Sequence, residues 1–123
     1  MKHKDTDSLL IDVAELFKVL GDSTRIRILY LLLKEKERNV TQIAEALNMN
    51  HSAISHQLRF LKNAKLIKNR RDGKQLYYSL SDNHVSCILD MALSMLKKFK
   101  RNLIISFFLK DCTVLSSMYS LFF

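Results

Sequence analysis

Apolar residues return every three or four positions from Ser8 to Leu20, where Leu9, Leu10, Val13, Leu16, Phe17 and Leu20 mark one face of a helix. Gly21 ends that pattern, and Asp22 or Ser23 is suited to cap the next helix. The stretch carrying Ile26, Ile28, Leu29, Leu31, Leu32 and Leu33 is apolar on too many sides for an exposed element, which predicts the buried centre of the domain. After a charged break from Lys34 to Asn39 comes VTQIAEALNM, a short helix with Thr41 as its expected N-cap and Ile43, Ala44 and Leu47 turned inward. Asn48 to Asn50 make a tight connector, and NHSAISHQLRFLKNAKL supplies a second helix, so the two read as helix-turn-helix.

At about 100° per residue, Ile54, Leu58 and Leu61 share one side of that second helix, while Ser52, Ser55, His56 and Arg59 gather on the other. Small hydroxyls let a helix approach base edges closely in the major groove, and Arg59 can reach a phosphate or a guanine. Asn50 and His51 sit at the helix start, the end that usually enters the groove. No acid occurs between Glu45 and Asp72, whereas Arg59, Lys62, Lys65, Lys68, Arg70 and Arg71 all do. Any one of these cations alone reads as a solvated face; the set reads as a DNA-facing surface.

Beyond Leu66 the period changes to two. Leu76, Tyr78 and Leu80 alternate with Tyr77 and Ser79 as in a strand, and Leu66 to Arg71 can pair with it. Asp72-Gly73 is the hairpin signal between them, and Arg70, Arg71 and Lys74 lie at or near the tip of this basic wing. Ser81 or Asp82 can cap a last long helix, whose stripe of Val85, Ile88, Leu89, Ala92, Leu96, Phe99 and Leu103 approaches seven-residue spacing. So continuous a stripe wants a partner, which predicts a homodimer through the first and last helices. The expected fold is mainly α with a small β-hairpin wing, a winged helix-turn-helix.

Composition fits one globular domain: 123 residues, 48% apolar and 26% charged. The net charge of +8 suits a polyanionic partner without choosing between nucleic acid and an anionic membrane. Cys87 and Cys112 have no CxxC spacing, and the N-terminus shows no secretory leader, which points to a reducing, cytoplasmic setting. The last segment, NLIISFFLKDCTVLSSMYSLFF, is broken by Lys110-Asp111 into runs shorter than the ~20 residues of a membrane span, so no membrane partner is expected. It extends the dimer helix, covers a groove, or forms an exposed tail.

ELFKVLGDSTRIRILYLL, VTQIAEALNMNHSAISHQLRFLKNAKLI and DGKQLYYSL together resemble the ArsR/SmtB family of small winged-helix repressors. The resemblance spans about residues 8 to 101 and implies a DNA-binding domain over 1–101, with 102–123 an atypical apolar extension. It further implies a homodimer on double-stranded DNA, at an inverted-repeat operator overlapping a promoter. An inducer, commonly a metal ion, then weakens that hold. Similar zinc-responsive members carry an Asp-x-His pair at the start of the last helix and a second pair about three turns later. Here Asp82 and His84 keep the first half, but Met95 and Lys98 stand where the second belongs. A thioether beside an ammonium is a poor substitute for two imidazoles at zinc, which leaves zinc or another transition metal as a candidate inducer without a complete site. The cysteines of a second family site, in the helix before the turn, are absent from EALNMNHS.

His84 and Cys87 share a face at i, i+3 and with Asp82 offer a weak metal or thiol-redox site; His3 can join from the N-terminus. The competing reading makes Asp82 a helix-capping residue and Cys87 a small buried hydrophobe. An alternative function is a repressor-like interaction module, its ligand site lost, docking a protein or membrane through the apolar tail. An enzyme is disfavoured: there is no glycine-rich phosphate loop and no usefully spaced carboxylate pair, and Ser55-His56 are helical neighbours that point different ways.

Overall fold

In the structure, a computed structural model, residues 3–108 are described. The chain runs α1 (His3–Leu20), α2 (Ser23–Glu35), β1 (Arg38–Asn39), α3 (Val40–Leu47), α4 (His51–Asn63), β2 (Ile67–Asp72), β3 (Gln75–Leu80) and α5 (Asn83–Phe108). It divides between Ser86 and Cys87 into two compact units, so most of α5 belongs to the second. The apolar extension expected at 102–123 falls largely outside the described residues, as does Cys112.

In the first unit α2 is the hub, touching α1, α3, α4 and β3. Its Ile28, Leu29 and Leu32 are at most 1% exposed, as expected of the buried centre. Ile43 from α3 and Ile54, Leu58 and Leu61 from α4 complete a fully buried apolar cluster. Asp22 caps α2 by accepting a hydrogen bond from the Arg25 amide at 3.0 Å.

Three sequence expectations need correction. The N-cap of α3 is Asn39, not Thr41: its side chain accepts from the Gln42 amide while the Gln42 side chain accepts from the Asn39 amide, a complete capping box. The charged break contains β1, which pairs antiparallel with β3 through Arg38 opposite Tyr78 and Asn39 opposite Tyr77. The sheet is therefore three-stranded, in the order β1-β3-β2, rather than a bare hairpin. Asp72 lies in β2 opposite Gln75, so the hairpin loop is Gly73-Lys74, with Gly73 at φ 61° where a side chain is disfavoured.

The start of α5 is capped by Asp82, in agreement with the capping reading of that residue. Its Oδ1 accepts from the amides of His84 at 2.8 Å and Val85 at 3.4 Å. Cys87 is exposed, which removes its reading as a buried hydrophobe. Among the described residues no helix is long and apolar enough to cross a membrane.

Candidate nucleic-acid interface

Helix α4 is held partly by residues the sequence pattern did not single out, Arg25 and Arg27 of α2. Two arginines of the central helix reach the helix-turn-helix from opposite ends. Arg25 lays its guanidinium 4.4 Å from the centre of the Phe60 ring on α4, and Arg27 donates to the Leu47 carbonyl at the end of α3, 3.1 Å away. Across the turn, Thr41 Oγ1 and His51 Nε2 sit 3.3 Å apart, joining the start of α3 to the start of α4. The turn itself uses Asn48 in the left-handed conformation, φ 53°, which asparagine tolerates better than most residues. Side chains of α2, α3 and α4 thus tie the two helices of the turn to each other and to the central helix.

On α4 the apolar side is sealed while the polar side is open. Ile54, Leu58 and Leu61 are fully buried; Ser52, His56, Arg59 and Lys62 are exposed, and Ser55 is half-buried. Asn50 serves as N-cap, its Oδ1 accepting from the Ala53 amide at 2.7 Å and from the Ser52 hydroxyl at 3.1 Å. Its oxygen is thereby committed to the helix, and the residue is exposed.

The wing separates its cations into two kinds. Arg71 and Lys74 are exposed, with no ion pair among the described residues. Arg70 is engaged: its Nε and Nη2 donate to the two carboxylate oxygens of Glu37 at 2.9 and 2.6 Å, and its guanidinium stacks 4.9 Å from the centre of the Tyr77 ring. The hydrogen bonds from Arg70 hold the Glu37 carboxyl below its ordinary range, outweighing desolvation, and the same bonds raise Arg70. A carboxyl lowered in the folded state stabilises above its unfolded value, and that contribution is lost as pH falls through the folded value. The clamp is therefore intact at neutral pH and opens in acid.

Glu37 and Arg70 are far apart in sequence, and only β1, which brings the α2–α3 connection alongside the wing, makes them meet. The engagement of Arg70 by Glu37 and Tyr77 sets a wing-fixing role against the expected phosphate contact, and the two differ in what they predict. Glu37→Gln and Arg70→Gln are expected to weaken DNA binding by similar amounts, with the double variant no worse than either. The salt dependence of affinity should keep its slope, because no phosphate-bound cation is removed. Were Arg70 a phosphate contact, its loss would lower that slope by about one per site and Glu37→Gln would strengthen binding.

Asp82 and His84 lie close, with Asp82 Oδ2 3.4 Å from His84 Nδ1. Desolvation pushes the Asp82 carboxyl up, but hydrogen bonds from the His84 ring and from the His84 and Val85 amides hold it below its ordinary range. Among the described residues no three His, Cys, Asp or Glu side chains are placed to share a metal ion. Two donors, one of them already capping α5, do not meet the four-ligand demand of zinc. The side chain of His3 lies outside the described residues.

This arrangement, a buried central helix, a braced helix-turn-helix and a three-stranded wing, defines a winged helix-turn-helix regulator. Residues 22–69 match the family model described as bacterial regulatory protein, arsR family. A cadmium resistance transcriptional regulatory protein CadC homolog of Staphylococcus aureus is 43% identical over 82 residues, covering 67% of this chain and 68% of that protein. A transcriptional repressor SmtB homolog of Synechocystis is 45% identical over 73 residues, 59% of this chain and 54% of the relative's length. Among solved structures, the homodimeric winged helix-turn-helix DNA-binding domain Mb0332 of Mycobacterium bovis, described as a possible ArsR-family regulator, superposes with a TM-score of 0.71. The two are 31% identical, and the match covers 80% of this chain and 90% of that one. The chain belongs to the arsR family of bacterial regulatory proteins. It is a regulator of transcription, not an enzyme.

Proposed function

We propose that the chain is a cytoplasmic, homodimeric repressor that binds an inverted-repeat operator through α4 and the wing. The observation that carries this reading is the α4 surface: a fully buried apolar side and, opposite it, an exposed row of Ser52, His56 and Arg59 beside half-buried Ser55. No acid stands between Glu45 and Asp72, so every charged side chain from α4 along β2 as far as Arg71 is a cation.

In this reading Ser52 and Ser55 meet base edges, and Asn50, His51, His56, Arg59 and Lys62 flank them. Arg71 and Lys74 hold the backbone beside them, while Arg70 sets the wing. The dimer draws on two apolar faces, each seen within its own unit: Leu9, Leu10, Val13 and Phe17 on α1, and Met91, Met95, Leu96 and Phe99 on α5, all at least 40% exposed. Selection of bound duplexes from a random pool tests the reading. It should return an inverted repeat with half-sites about one helical turn apart, roughly 34 Å. Recovery of no common sequence, or a chain that stays monomeric at micromolar concentration, would refute it.

The names of relatives such as the cadmium resistance regulator support a metal as the class of inducer. Asp82 and His84 do not by themselves complete a zinc site. Added Zn²⁺ is therefore expected to leave DNA affinity unchanged in fluorescence anisotropy; a fall in affinity would show that further donors complete the pair.

A further inference from the structure

An open cleft of about 350 Å³ lies where the end of α2, strands β2 and β3 and the start of α5 come together. That volume is near the lower end for small-molecule sites, about 300–1,000 Å³. Leu32, Leu33 and Leu80 give it an apolar wall. Lys68 and Ser79, opposite each other in the β2–β3 ladder, line it from the sheet, and Lys36 lines it from the C-cap of α2.

The polar groups around the cleft are mostly donors without partners. Neither Lys36 nor Lys68 has an ion pair among the described residues, since Glu35 is taken by Arg38 and Glu37 by Arg70. The hydroxyls of Ser79 and Ser81 likewise have no hydrogen-bond partner among the described residues. The acid in the lining, Asp82, has Oδ1 committed to the His84 and Val85 amides and Oδ2 3.4 Å from His84 Nδ1. Two free ammonium groups and two free hydroxyls beside an apolar wall call for a ligand that brings negative oxygens and a hydrocarbon part.

We propose that this cleft binds a small organic anion, its charged end held by Lys36, Lys68 and the serine hydroxyls and its apolar body against Leu32, Leu33 and Leu80. An occupant bridges the wing strands and the end of α2, which leads through β1 into α3. It thereby bears on how the wing stands beside the reading helix. This regulatory half rests on the chain's role in binding DNA; the binding half does not.

The test titrates the ¹⁵N-labelled full chain with hexanoate, hexyl phosphate and uncharged hexan-1-ol at matched ionic strength. Saturable amide shifts at Ser79, Ser81, Asn83 and Ser86 are expected with the anions, and hexan-1-ol should bind at least about tenfold more weakly. The Lys36→Gln/Lys68→Gln variant, shown to be folded by its unshifted core amides, should lose anion affinity by at least about tenfold. The site is overturned if neither anion saturates at millimolar concentration, if hexan-1-ol matches them, or if the variant binds as well. Unchanged DNA affinity in saturating anion overturns the regulatory half. A chain that binds no duplex even without anion sinks the DNA-binding reading and leaves the titration to stand on its own.

Discussion

Replacing Ser52 and Ser55 together by leucine should abolish sequence-specific DNA binding while leaving the dimer intact. Leucine is a better helix former than serine, so α4 itself is not penalised. The Asn50 cap keeps its bond to the Ala53 amide and loses only the one from the Ser52 hydroxyl. What changes is the distance of approach: two branched side chains on the outer face hold the helix away from the base edges. Good base contacts each carry about 1–3 kcal/mol of discrimination, so affinity should fall at least about 100-fold across a dimer. Gel-shift titration beside size-exclusion chromatography reads both halves. A doubly substituted chain that retains operator affinity would place the interface elsewhere.

The second large effect is on folding. Leu58 is fully buried on the inner side of α4, so Leu58→Ala removes methylene groups from a packed interior and leaves a void. The expected cost is about 2–5 kcal/mol, a large part of the roughly 5–15 kcal/mol by which domains of this kind are stable. Leu58→Met, similar in volume, should cost less than about 1.5 kcal/mol. Urea midpoints at one fixed protein concentration check this, because dimer stability depends on concentration. If Leu58→Ala were no worse than Leu58→Met, the burial of this face would be wrong.

Much of this architecture is written in local periodicity. Ile54, Leu58 and Leu61 recur at helical spacing, and Leu76, Tyr78 and Leu80 at strand spacing, so α4 and β3 are visible without any tertiary information. β1 is not visible, because two residues have no period. The α3 cap is easily misplaced although Asn39 and Gln42 stand at capping-box spacing; Thr41 is also a capping type and lies closer to the apolar residues. Arg25 and Arg27 carry one signal, charge within an otherwise apolar helix. The pairing of Glu37 with Arg70 carries none, since the partners are 33 residues apart and only strand pairing joins them.

The tight Gly73-Lys74 loop also limits how the wing can change length. Residues of a strand alternate sides, so one residue inserted into β2 would exchange its two faces, sending Ile67 outward or Arg70 away from Glu37. Residues added in matched pairs across the two strands lengthen the hairpin and keep both faces, whereas a single one must be taken up as a bulge or in the loop.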